Sequence, residues 1–254
     1  MDRTVSLEQF GLHVLTTPID DEFSLYCLDT TELREKLSSG AIVVIKNAFS
    51  PRLLEELREF TVEWSNQTES YGFERSASLM HLNFHRKDSE ADDASLPHCF
   101  HQFGFGNMDE LEEGFRVLIR SIAGDMLTLQ NLIAGTSFTF EEGDCRPKIL
   151  RYPRGAGYLA AHKHPLTPQK IGLILQLSRH GTDYEDGGTV FETPFGKVSM
   201  KGAQDIGDLV LFRYDLVHEV PLVDVNASAN WESSDGKWSM VLELLKTHEN
   251  SNVD

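Results

Sequence analysis

Cysteine is scarce in this chain, and the few that occur are scattered: Cys27, Cys99 and Cys145. With no CxxC pair and an odd total, neither a disulfide framework nor a zinc finger is supported. Basic residues are also short, 23 Lys and Arg against 40 Asp and Glu, for a formal net charge of −17. No Lys/Arg cluster stands out. Sequence-independent binding to a phosphate backbone depends on such clusters, so nucleic acid is disfavoured as a partner. The same acidic surface would repel anionic membranes. No apolar run approaches the length of a bilayer span, and residues Met1 to Phe10 lack a basic region followed by an apolar core. These absences read as a cytoplasmic protein. Acyl and phosphoryl transfer have no support either, since neither a Gly-x-Ser-x-Gly elbow nor a P-loop is present.

What is there is a chain of 254 residues, 40% hydrophobic and 25% charged, long enough to bury a sizeable core. No internal repeat or Pro/Gly/Ser-rich linker divides it. One domain over 1–254 is expected, with strands and helices in 1–147 and a β-core in 148–245. Gly40 to Lys46 is a β-branched run suited to a buried strand. Ser50 and Pro51 are an N-cap and a first helical residue, and Leu53, Leu54, Leu57, Phe60 and Trp64 share a helix face. A second helix is predicted from about Asp109 to Leu132, with Leu111, Phe115, Leu118, Ile119, Ile122 and Met126 at helical spacing. Between them, Arg86 to Pro97 is polar and charged. It reads as a mobile surface loop, with a lid over a site as the functional alternative. The His- and aromatic-rich run His98 to Gly106 reads as loose loop packing or as the lining of a pocket.

From Lys148 onward, short strands alternate with Gly and Pro turns: Lys148–Tyr152, Lys170–Ser178, Gly187–Glu192, Asp208–Phe212 and Lys237–Leu245. That rhythm predicts a sandwich or barrel, with the helices packed outside it. Lys170–Ser178 is almost continuously apolar and should be buried on both faces.

His162 and His164 stand two apart, and residues i and i+2 of an extended strand share a face, so both rings can converge on one ion. Pro165 would stop that strand. His218 lies just beyond Leu209–Phe212. Three neutral imidazoles can hold one face of a divalent transition metal and leave the other open for chemistry. Spacing alone admits zinc, a cupin-type iron site, or a chance pair in a chain with ten histidines.

The ordered pattern from Lys148 to Leu245 resembles the double-stranded β-helix core of the Fe(II)- and 2-oxoglutarate-dependent oxygenases. Arg151-Tyr152, the turn Gly155-Ala-Gly157-Tyr158 and His162-Lys-His164 match the family's strand, Gly-rich turn and His-x-Asp/Glu. Glu185-Asp-Gly-Gly-Thr189 matches its Gly-Gly turn, and Gly207-Asp208 through His218 to Pro221 matches its distal-histidine segment. Gly40 through Trp64 fits the usual lead-in. The resemblance implies an α+β fold with a jelly-roll, cupin-like core and N-terminal helices outside. It also implies Fe(II) and 2-oxoglutarate as cofactors and His162, His164 and His218 as metal ligands.

Two positions depart from the family. His164 stands where a carboxylate is usual, which makes the iron centre more positive by about one charge; the alternative is a non-ligating His164 with water or halide in that place. Asp215 and Glu219 flank His218 as other oxygen donors, although Glu219 should face away from it. The family's late-strand Arg is replaced in Lys237-Trp-Ser239. A lysine can neutralise the 2-oxoglutarate carboxylate without a bidentate fork, or it can be a solvated strand-edge lysine. Ser239, Arg151, Arg213 and Gln176 are the further candidates to contact the cosubstrate, Gln176 being otherwise a satisfied core amide.

The reading is therefore an Fe(II)/2-oxoglutarate-dependent dioxygenase that hydroxylates a small polar metabolite, an amino acid or a natural-product intermediate, with O2 as co-reactant. The alternatives are a three-histidine dioxygenase that does not use 2-oxoglutarate and a catalytically degenerate binding module of the same fold.

Overall fold

The computed structural model describes residues 11–16, 28–71, 82–91, 95–140 and 145–244. The N-terminal part supplies strands β1 (Leu12–Thr16), β2 (Ile42–Lys46), β3 (Ser70–Tyr71), β4 (Asn83–Ala91) and β5 (His98–Phe105). It also supplies helices α1 (Thr30–Ser38), α2 (Pro51–Gln67) and α3 (Glu113–Ala134). The remaining strands are β6 (Cys145–Tyr152), β7 (Tyr158–His162), β8 (Ile171–Gln176), β9 (Val190–Thr193), β10 (Gly196–Ser199), β11 (Leu209–Arg213), β12 (Val217–Val220) and β13 (Lys237–Leu244).

One ladder runs β1-β2-β11-β8-β13-β6-β5, and β5 leads on to a second, β7-β12-β9-β10. From β6 to β13 the chain crosses repeatedly between them, β9 and β10 being the one hairpin kept within a ladder. This is the winding of a double-stranded β-helix, as the resemblance implied, and it meets the broader expectation of a sandwich or barrel that the strand rhythm gave.

Period-two alternation gives the first ladder two unlike faces. Trp238, Met240, Leu242 and Leu244 of β13 join Leu173 and Leu175 of β8 in the main hydrophobic core. The intervening Lys237, Ser239, Val241 and Glu243, with Ile174 of β8, face an internal cavity. Helix α3 closes the outer face: Phe115, Ile119, Ile122 and Met126 are buried in that core. Each such burial contributes about 1.5–3 kcal/mol. β8 is buried along its whole length, as its apolar run required.

Helix α2 begins at Pro51 behind Ser50, but the buried positions are Leu54, Leu57 and Thr61, and Leu53 stays 41% exposed. The second helix starts later than its periodicity suggested. Met108–Glu110 form a short 3-10 turn and α3 begins at Glu113, ending at Gly135 in the left-handed conformation with φ +66°.

The segment read as a loop or lid is a strand over residues 86–91; residues 92–94 lie outside the described residues. Its charges misled because they neutralise one another indoors. The buried Asp88 carboxylate accepts from Arg86 Nη2 at 2.8 Å and Gln102 Nε2 at 3.0 Å, and lies 3.2 Å from His98 Nε2. A buried charge persists only when it is paired in this way. The run His98–Gly106 likewise is no loose loop, since β5 is buried at every position.

Gly207-Asp208 pins the start of β11. Asp208, 1% exposed, pairs with Lys46 and accepts from the backbone N–H of Asn47 at 2.9 Å and of Asp205 at 2.7 Å. Gly207 has φ +90°, and a side chain there would meet the Phe49 carbonyl at 2.4 Å.

Candidate metal centre and its cavity

His162 ends β7 and lies directly opposite His218 on the neighbouring β12, so the two side chains leave adjacent strands on one face. His218, expected just beyond Leu209–Phe212, stands in the short strand β12 that follows β11. His164 lies beyond the end of β7. Strand alternation does not aim it; its ring stacks on Tyr214 at 4.2 Å, and its backbone N–H donates to the Tyr214 carbonyl at 3.3 Å. The three rings nevertheless meet, with one ligand atom from each lying within 4.8 Å of the others.

The tautomers of two rings follow from their partners. His162 Nδ1 is 2.9 Å from the Ala160 carbonyl, and His218 Nδ1 is 2.9 Å from the Leu216 carbonyl. A carbonyl only accepts, so Nδ1 carries the proton in each ring and Nε2 presents its lone pair. An outer hydrogen bond of this type fixes the orientation of a metal-binding imidazole. Burial, and then His162, push the His218 pKa down to about 3, which keeps that ring neutral, the form a metal requires.

The trio borders a cavity of about 180 Å³ enclosed by both ladders. Most of the wall is apolar, with Leu150, Leu159, Phe212 and Val220 among its residues. Phe212 packs against His218 at 4.9 Å.

On the same cavity, Lys237 is 1% exposed, and its ammonium has no hydrogen-bond partner among the described residues. Its Nζ lies over the face of Tyr152, 5.4 Å from the ring centroid. Burial pulls the Lys237 pKa down to about 8. The solvated strand-edge alternative for this residue is therefore excluded by its position. Ser239 follows it on the same wall. Thr189 Oγ1, also on the wall and 1% exposed, is a second buried group without a hydrogen-bond partner among the described residues.

Other expected site residues sit elsewhere. Arg151 faces away from the cavity, donating to the carbonyls of Asn230 at 2.8 Å, Trp231 at 3.0 Å and Asp235 at 3.2 Å. It straps the segment before β13 because it alternates with the cavity-facing Leu150 and Tyr152. Gln176 is paired across the ladder with Ser239 but is not on the cavity wall; its Nε2 donates to Ser178 Oγ at 2.8 Å and Tyr184 Oη at 3.1 Å. Arg213 donates to Asp215 at 2.6 Å, and Lys197 donates to Glu219 at 2.9 Å, so Arg213, Asp215 and Glu219 are each engaged away from the histidines. The sequence reading overlooked Thr189, Tyr214, Lys148 and Glu243. Counting by twos from Lys237 along β13 would have found Glu243.

A centre of three imidazoles with the opposite side open suits a divalent transition metal, and a buried unpaired ammonium suits a carboxylate. The residues present thus fit iron and a carboxylate cosubstrate.

No family model matches the sequence, and no curated protein matches it. Solved structures do. A prolyl-4-hydroxylase from Pseudomonas putida aligns over 84% of this chain and 97% of its own, with TM-score 0.54 and 13% identity. A full-length Neurospora crassa protein in complex with alpha-KG and thymine aligns over 92% and 85%, with TM-score 0.56 and 12% identity. An oxidoreductase of the 2OG-Fe(II) oxygenase family from Burkholderia pseudomallei aligns over 90% and 93%, with TM-score 0.53 and 15% identity. At such identities the likeness is one of architecture: the chain has the double-stranded β-helix fold of the 2OG-Fe(II) oxygenases.

Proposed function

We propose that this protein is a non-haem iron, 2-oxoglutarate-dependent oxygenase that hydroxylates a small polar molecule at a three-histidine centre. The observation that carries the reading is the buried Lys237 ammonium, without a hydrogen-bond partner among the described residues, on the same cavity as His162, His164 and His218. An unpaired buried charge is costly, and a carboxylate bound beside the metal would relieve that cost. A three-histidine site that does not use 2-oxoglutarate, or a fold kept only for binding, leaves Lys237 without a counter-ion.

Bound iron and 2-oxoglutarate would supply the oxidising chemistry from O2, with succinate and CO2 as co-products. The chain's own residues do the rest. The Ala160 and Leu216 carbonyls hold the Nδ1 protons of His162 and His218, so that both Nε2 atoms point to one place. Tyr214 keeps His164 in line by stacking. Lys237 neutralises the far carboxylate of the cosubstrate, and the Thr189 hydroxyl and Ser239 lie on the same cavity wall to share its oxygens. Leu150, Phe212 and Val220 keep water from the reacting groups. The small-molecule assignment follows from the volume of about 180 Å³, and the Neurospora crassa fold neighbour was crystallised with thymine.

Anaerobic addition of Fe(II) and then 2-oxoglutarate tests the reading. A visible charge-transfer band that disappears in Lys237→Met is expected. Iron binding without any band refutes the 2-oxoglutarate assignment, and no iron binding refutes the metal centre.

A further inference from the structure

The strand parity that sends Trp238 and Met240 into the core turns Lys237 toward the cavity. The strand starts tightly: Gly236 has φ +127°, and a side chain there would meet the Tyr152 carbonyl at 2.2 Å. That close approach seats Lys237 in register with Tyr152, with Nζ over the ring. Lys237 is 1% exposed, and Nζ has no hydrogen-bond partner among the described residues. The cavity it borders is walled mostly by apolar side chains, Leu150, Leu159 and Val220 among them.

A lysine in such a place lacks the water that favours its charged form. Burial alone brings its pKa down to about 8, with no charged neighbour among the described residues contributing. At pH 7 about a tenth of such a group carries a free lone pair, against about one in three thousand for a lysine at the ordinary 10.5. A desolvated amine of this kind is a nucleophile toward carbonyl carbon. The other lysine on the wall differs, because Lys148 Nζ donates to Glu243 at 3.3 Å, a contact that favours its charged form.

We infer that Lys237 is also a covalent capture site: its amine takes small aliphatic aldehydes from the cavity and holds them as imines. Nζ adds to the carbonyl carbon, and one of its protons passes to the carbonyl oxygen. That oxygen then leaves as water with the second proton while the C=N bond forms, so no oxidant or reductant is needed. Two hydroxyls lie on the same wall to donate to the departing oxygen: Ser239, and Thr189, whose Oγ1 has no hydrogen-bond partner among the described residues. Apolar walls and a volume of about 180 Å³ select short, uncharged carbonyl compounds. The capture goes beyond the oxygenase reading and requires no metal.

The test treats the full chain, without added cosubstrate, with butanal and cyanoborohydride at pH 7. Peptide mass spectrometry then quantifies the reduced butyl adduct at each lysine. Lys237 should be modified at least about tenfold faster than the exposed Lys163 and Lys197 of the same molecule. Nonanal, too long for the cavity, should lose that advantage. The ratio of Lys237 to Lys163 modification should also fall between pH 7 and pH 10, as the surface amines shed their protons too. Modification of Lys237 no faster than of Lys163 overturns the inference, as does an equal advantage with nonanal or a ratio that does not change with pH. In Lys237→Met the fast phase of butanal uptake should vanish from the intact mass; a fast phase that persists also overturns it.

Discussion

Replacing Lys237 by methionine should stabilise the ligand-free protein while abolishing cosubstrate binding. The ammonium is 1% exposed and has no hydrogen-bond partner among the described residues, and its pKa falls from the ordinary lysine value of 10.5 to about 8. At about 1.4 kcal/mol for each tenfold change in proton affinity, holding the charge indoors at pH 7 costs about 3 kcal/mol. Methionine has a similar length and no charge, so Lys237→Met should recover most of that. The folded state binds fewer protons than the unfolded one between pH 8 and 10.5. Wild-type stability therefore rises across this window relative to the variant, and the gap closes near its upper end. Urea unfolding of both proteins at pH 7 and pH 10 measures the difference, and groups common to both cancel. Saturating 2-oxoglutarate at about a hundred times its Kd should add about 2.7 kcal/mol to the wild type with Fe(II) and nothing to the variant. A variant less stable than wild type at pH 7, or a gap that widens with pH, would refute the claim that this ammonium lacks a partner.

Five further substitutions bear on the site and its support. His218→Ala and His162→Ala should each abolish Fe(II) binding by calorimetry, and His164→Ala should weaken it; unchanged affinity in His164→Ala would remove that residue from the ligand set. Asp88→Asn takes away the carboxylate shared by Arg86, His98 and Gln102, so a loss of about 3–5 kcal/mol is expected in urea unfolding. Gly172→Ala places a methyl group 2.2 Å from the Phe212 ring. Displacing that ring should cost about 1–3 kcal/mol and lower the affinity for 2-oxoglutarate, both readable by thermal shift with and without ligand.

Much of the β-core was legible because its signals are local. Gly and Pro punctuation marked the strand ends from Lys148 onward, and β8 showed its double burial in its own composition. Polar strands were not legible. Arg86 and Asp88 look like solvated loop residues until β5 brings His98 and Gln102 beside them, a partnership that no window of adjacent residues contains. Arg151 was the opposite error, a conspicuous cation in the matching motif whose strand parity turns it away from the cavity.

Composition and period-two spacing were enough to say that an acidic, cysteine-poor chain would build short strands in its second half, since neither signal needs a partner to be read; the grouping of a His-x-His with a distal histidine came from the resemblance of the ordered motifs. It took the folded chain to set His162 opposite His218, to bring His164 to them from outside the strand, and to bury Lys237 on the cavity wall. Strand register, ring stacking and burial arise between segments far apart in the chain, and the depth of a side chain is settled by what the rest of the fold places over it.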